Sequence, residues 1–429
     1  MTSTPRATGL QPWLVAAIAL LLVLVRMPDR VVDGFLWAED GKIFLRDAYM
    51  LGAASLFKPY AQYLHLLPRA FAWFIAGVCR IDQVARPLAW ICALTLGAAC
   101  AWLFVFARRR LSLRAAWLFA LAPLLIPHTG EVWLTITNLQ WILAPALLAL
   151  LWDSFCSVPA PPGGERGAAL RGGKGGAALR GAAVVVLTLT GPFGLIFAPL
   201  IAAALLARRR VHRPRGTWIA IGAYFAAAAI QLGLILTNPP AALPPGSIPP
   251  APLAAFVHYP WISQLAHHLA LDFVLPDTLT GQSGGAWRLP AAALACLLLA
   301  CLMLAGRTCR LVAAGLLLLA ASLWAMGVLR LGIPNADMRW QVVGRYFYVP
   351  FVAMAWSLLV IHDTALRSSA RALAGVLLAL VLINSLTHFR AAVWQPVALS
   401  YRHETQEGVL RIPPSYDWFL PVRPEWTRR

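Results

Sequence analysis

Residues 87–110, PLAWICALTLGAACAWLFVFARRR, decide the fold. From about 84 to 107 the chain is apolar or small apart from Arg86 near its start, and it stops at three consecutive arginines, Arg108, Arg109 and Arg110. About 20 such residues suffice for a helix to cross a bilayer, and a basic cluster at the end of the run marks the cytoplasmic side. Similar runs recur at about 12–27, 113–128, 138–152, 181–190, 193–207, 216–236, 287–306, 310–329, 345–362 and 371–388. Counted together they give 11 expected spans in an all-α polytopic protein, with one pair divided at Gly191-Pro192. The first run could be a signal peptide. Its leading region holds a single arginine, no small-x-small cleavage site follows, and Arg26, Asp29 and Arg30 do, so an uncleaved anchor is expected.

Composition agrees. Of 429 residues, 60% are hydrophobic and 12% charged, with a mean hydropathy of +0.69, which is the profile of a membrane protein. The net charge of +19 does not call for nucleic acid, because the arginines sit at the ends of apolar runs, where they report orientation. Seven cysteines include no CxxC pair and no His at a metal-ligand spacing; those in apolar runs (Cys92, Cys100, Cys296, Cys301) read as small hydrophobes.

Placing the N-terminus in the cytoplasm puts Arg108 to Arg110 with Arg114, the Arg166 to Arg180 tract, Arg208 to Arg215, Arg307 with Arg310, and Arg367 with Arg371 all on the inner side. Only Asp153, Glu165 and Asp363 are then inside, so nearly all carboxylates face outward. A transmembrane domain over 1–388 is expected, followed by an outer tail over 389–429. It carries a first outer loop at 29–82, a flexible Gly/Ala/Arg inner linker at 159–181, and a second large outer loop at 237–286 with a proline-dense start.

The first outer loop holds the main chemical candidates. Glu39 and Asp40 are adjacent carboxylates in Trp37-Ala38-Glu39-Asp40-Gly41, ahead of a helix-compatible stretch from Lys42 to Leu56. A turn or helix cap is an equally good reading of such a pair. A second stretch, Tyr63 to Cys79, contains His65 and Arg69 at i,i+4, so the two share a face. It is expected to lie along the interface, since a crossing there would carry Arg108 to Arg110 outside. Elsewhere, His128 precedes Thr129-Gly130-Glu131, and His268 and Asp272 stand at i,i+4; two ligands do not make a zinc site, and both features read as structural.

Three landmarks occur in order. They are Lys58-Pro59-Tyr60 running on to Ala85-Arg86-Pro87-Leu88 and Arg108 to Arg110, then Leu187-Thr188-Leu189-Thr190-Gly191-Pro192, then Gly344-Arg345-Tyr346-Phe347-Tyr348-Val349-Pro350. Together with the acidic first loop, this order resembles the C-type (GT-C) membrane glycosyltransferases, and is similar to the bacterial aminoarabinose lipid A transferase and protein mannosyltransferase relatives. Thr190 stands where close relatives place a lysine before Gly-Pro. The resemblance implies transfer of a sugar from a polyprenyl-phosphate donor to an envelope glycan, lipid or protein acceptor, at the outer, periplasmic face of a bacterial inner membrane.

For that reaction Asp40 or Glu39 is the expected base on the acceptor hydroxyl. Arg345, with Tyr346, is expected at the donor phosphate, and Arg69 and His65 toward a headgroup. Glu131 is the expected second acidic residue, Trp37 a sugar-stacking ring, and Asp40 with Glu131 a hard-oxygen site for magnesium or manganese. An O-antigen-type polymerase or ligase, and a transporter or flippase of lipid-linked glycans, are the alternatives. A transporter is expected to carry ionisable groups inside its spans, and these are almost free of them.

Overall fold

The computed structural model describes residues 10–34, 36–128, 130–156, 174–209, 213, 215–238, 257, 259–276, 287–331, 344–389, 409–411 and 419–421. Most of the expected inner linker (159–173), the proline-dense segment, His258 and the tail sequence 412–418 lie outside them.

Every apolar run is helical. The long helices are α1 (Gln11–Arg26), α2 (Leu66–Val78), α3 (Ala85–Arg108), α4 (Leu113–Leu125), α5 (Leu139–Leu151), α6 (Lys174–Thr188), α7 (Phe193–Ala207), α8 (Arg215–Thr237), α9 (Arg288–Leu304), α10 (Arg307–Leu331), α11 (Arg345–Thr364) and α12 (Ser368–Thr387). The tail adds a short antiparallel pair, β1 (Val409–Arg411) and β2 (Phe419–Pro421). Among the described residues, five helices (α3, α8, α10, α11 and α12) are long and apolar enough to cross a membrane. At 1.5 Å per residue the 24 residues of α3 reach about 36 Å, beyond the roughly 30 Å hydrocarbon core. The 13 residues of α4 or α5 reach only about 20 Å. The expected break at Gly191-Pro192 is present, because proline has no N–H to continue a helix and α7 starts directly after it. One boundary differs: α6 begins at Lys174, inside the expected linker, because the alanines that follow Gly176 favour helix.

The chain divides into two compact units. One comprises residues 1–28, 93–133 and 243–395, and its axis is α11. That helix is buried along almost its whole length between α10, α12 and α4, with Trp356 stacked on Phe119 at 4.1 Å and donating its indole N–H to the Phe119 carbonyl at 2.9 Å. At the end of α1 the buried Arg26 donates to the carbonyls of Leu124 (2.7 Å) and His128 (2.6 Å) and lies over the Trp133 ring. These acceptors lie at and just beyond the C-terminus of α4, where a cation is favoured.

The other unit comprises residues 29–92, 134–242 and 396–429. Its central polar residue is Gln231 in α8, fully buried. The amide oxygen accepts from the Leu64 N–H at 2.9 Å, and the amide nitrogen donates to the carbonyls of Leu64 (3.0 Å), Gly191 (3.2 Å) and Thr188 (3.3 Å). One side chain thus satisfies backbone groups that the Gly191-Pro192 break and the entry to α2 leave without helical partners. A second cluster, built on Phe44, Leu45, Ala72, Ile75, Ile81, Leu88 and Cys92, seats the segment after residue 36 against α2 and the start of α3.

Candidate functional site

The loop that presents Glu39 and Asp40 is shaped by Gly34 and Ala38. Gly34 has φ +82°, and a Cβ there would fall 2.3 Å from the Arg86 backbone nitrogen, so only glycine lets the chain pass the start of α3. Ala38 takes φ +39°, a left-handed conformation that strains a residue with a side chain. Asp40 then opens a π-helical turn, Asp40–Leu45, which runs into helical residues 46–51 and 3-10 residues 52–57. The expected helix from Lys42 to Leu56 is therefore present, in three geometries. Strand β2 lies against the Asp40–Leu45 turn.

The Asp40 carboxylate does not cap that turn. It is 1% exposed and accepts three hydrogen bonds: Oδ1 from the Thr137 N–H (2.8 Å) and hydroxyl (2.6 Å), and Oδ2 from the Trp37 N–H (3.2 Å). None of these donors carries a charge. Burial pushes the carboxyl up to about 7, the donors from Thr137 and Trp37 pull it back down in part, and the neighbouring Glu39 adds a smaller upward push. Glu39 is half-buried; its Oε1 accepts from the Tyr60 hydroxyl at 3.2 Å, and its buried Oε2 has no hydrogen-bond partner.

Tyr60 is held by a tight turn. Tyr60 and Tyr63 exchange backbone hydrogen bonds at 3.0 and 3.1 Å, and the two central residues, Ala61 (φ +50°) and Gln62 (φ +76°), are both left-handed. Such a turn favours Gly or Asn, so two ordinary side chains here store strain. Below it His65 is caged by Tyr63 (4.5 Å between centroids), Phe44 (5.3 Å) and Tyr60 (5.8 Å). Burial, with the charge of Arg69, holds its imidazole down to about 3, so His65 is neutral across the physiological range. Arg69 shares its face as the i,i+4 spacing predicts. It is 1% exposed, its guanidinium 3.2 Å from Asp47, whose other oxygen takes the Lys58 ammonium at 2.7 Å.

Glu131 and Arg345 belong to the other unit, where they meet. Glu131 Oε2 accepts the Arg345 backbone N–H at 3.1 Å, and Oε1 lies 3.6 Å from its guanidinium. The carboxylate thus serves one of the open N–H groups at the start of α11, where negative charge is favoured. Gly130, at φ +84°, makes the turn that delivers it; the His128 Nδ1 accepts the Gly130 N–H at 2.9 Å, so His128 is tied into this turn. Tyr346 lies beneath the Arg345 guanidinium at 5.5 Å. His268 and Asp272 are paired at 2.9 Å, with His267 3.5 Å from the same carboxylate.

Trp37, expected as a sugar-stacking ring, is 5% exposed, and its backbone N–H is donated to Asp40. Asp40 and Glu131, the expected ligands for magnesium or manganese, each accept hydrogen bonds from N–H or O–H donors, and among the described residues no three His, Cys, Asp or Glu side chains gather as a metal set. The residue that sequence reading missed is Thr137. An uncharged hydroxyl just before an apolar run gives little signal, and its neighbour Glu131 drew the attention. Compared with known proteins, the chain matches no protein-family model, no curated protein and no solved structure.

Proposed function

We propose that this chain is a polytopic glycosyltransferase that moves a sugar from a polyprenyl phosphate to an acceptor hydroxyl at the outer face of a bacterial inner membrane. In this reading the N-terminus is cytoplasmic, the shorter apolar helices complete a set of 11 spans, and the 29–82 segment faces the periplasm. Asp40 is the base. The observation that carries the proposal is a fully buried carboxylate held by neutral donors alone, with its carboxyl raised to about 7. A group of that kind is half ionised near neutrality and is basic enough to take a proton from a hydroxyl.

Oδ1 is anchored twice by Thr137, whereas Oδ2 takes a single, longer bond from Trp37, so Oδ2 is the oxygen that receives the acceptor proton. As the proton moves to Oδ2, the acceptor oxygen bonds to the anomeric carbon and the bond from that carbon to the carrier phosphate breaks with inversion. Charge develops on the leaving phosphate as that bond breaks, and a cationic group beside it would stabilise that charge. Sugar transfer is measured in membranes carrying Glu39→Gln, Asp40→Asn and both substitutions; undiminished transfer in the double variant overturns the assignment.

A further inference from the structure

The Thr137 hydroxyl is bonded differently from those of Thr190, Thr237, Thr364 and Thr387, which donate to carbonyls three or four residues back. Thr190 and Thr237 donate to carbonyls four residues back, Val186 and Gly233, which is the ordinary local choice for a helical threonine. Thr135, two residues before Thr137 and equally buried, has no hydrogen-bond partner for its hydroxyl. Thr137 instead places both its donors on one oxygen of a carboxylate 97 residues away, at 2.8 and 2.6 Å.

The backbone that brings it there is strained. Leu134, three residues earlier, has φ +64°, and on the other side of the contact Ala38 has φ +39°. Two non-glycine residues in left-handed conformations, on chain segments far apart in sequence, lead into the two ends of one carboxylate contact. Strain of this kind persists where surrounding structure over-determines it, and it clusters where geometry serves function.

We infer that Thr137 is a positioning residue: it fixes the rotation of the Asp40 carboxylate so that Oδ2 is the oxygen left to the acceptor, and it keeps that carboxylate ionisable in a dry setting. The inference rests on Asp40 being the base. A double donor on Oδ1 defines both the plane and the identity of the free oxygen, which a single bond does not. Donors also favour the ionised form, opposing the burial that disfavours it. The other titratable groups around Asp40 supply no such help. Glu39 adds negative charge beside it, Cys92 is a buried thiol, and on α2, which packs against the Asp40–Leu45 turn, His65 is neutral while Arg69 is paired with Asp47. Arg46 and Asp47 follow in the same helical stretch, Asp47 being committed to Arg69 and Lys58.

The test follows the Asp40 carboxyl by infrared titration of the full-length protein in detergent, with Asp40→Asn identifying its band, in Thr137→Val, Thr137→Ala and Thr137→Ser. Removing the hydroxyl leaves the backbone N–H in place and is expected to raise the midpoint by about one to two pH units, with serine restoring it. Where valine is poorly accommodated, the smaller alanine gives the same readout. An unmoved midpoint in both hydroxyl-free variants, or a serine variant as displaced as valine, overturns the inference. The pH profile of sugar transfer is read in parallel: a midpoint that moves while the profile does not retains Thr137 as the residue that poises Asp40 and removes Asp40 as the base.

Discussion

Two of the acidic places in this protein, Glu131 and Asp40, are built on opposite principles. Glu131 meets a guanidinium and the N-terminus of α11, so its negative charge is answered by positive charge and a helix dipole. Asp40 meets only amide N–H groups and a hydroxyl, and burial keeps its carboxyl poised near neutrality. The difference separates a carboxylate that orders structure from one whose protonation can change during a reaction. It also separates two kinds of effect expected from mutation, one on the chemical step and one on folding.

The largest expected effect is on turnover. Asp40→Asn lowers kcat for sugar transfer about a thousandfold, the range of a lost general base, while Glu131→Gln leaves kcat within a few-fold and lowers the thermal midpoint. Steady-state kinetics that reversed these signatures would break the comparison. Next, Gln231→Leu strips partners from the Leu64 N–H and from three carbonyls, and is expected to destabilise the protein by about 3 kcal/mol, read as a lowered thermal midpoint in detergent.

The pH dependence has a definite sign. Folded Asp40 holds its proton up to about 7, whereas an aspartate in the unfolded chain releases it near 3.8, so its contribution to stability declines as pH rises through that interval and the penalty is complete above it. Asp40→Asn therefore unfolds at a higher temperature than the native chain at pH 8 and shows no such advantage at pH 3, while sugar transfer by the native enzyme rises as pH climbs through about 7. The smallest effect concerns the Tyr60–Tyr63 turn: Ala61→Gly relieves left-handed strain and is expected to stabilise by about 1 kcal/mol, measured by thermal unfolding.

Helix existence was legible in the sequence because long apolar runs bounded by arginines and prolines leave few alternatives. The partition of the chain was not. It cuts α3 between Cys92 and Ala93, inside an uninterrupted helix where no composition shift marks a boundary. Charged candidates were legible individually, since carboxylates and guanidiniums near span ends are conspicuous. Their partners were less so. Arg69 invited a headgroup reading, and its commitment to Asp47 depends on how residues 46–57 fold back onto α2. Glu131 and Arg345 were assigned separate roles, and only the turn at Gly130 brings them to 3.6 Å. Thr137 shows the limit most clearly, because a hydroxyl acquires meaning from what it touches and Asp40 is 97 residues distant in the chain.

Among the described residues, the non-glycine positions at positive φ are Ala38, Ala61, Gln62 and Leu134, and all four belong to the unit that holds Asp40. This makes that unit locally frustrated: its sequence prefers one backbone and its packing imposes another. Selection for heat resistance would find the half-buried Ala61 early, since glycine there relaxes the chain without removing a core side chain, whereas Leu134 is 1% exposed. Variants gained that way should be sturdier and slower, with the loss of activity concentrated at the positions where the gain in stability was easiest to obtain.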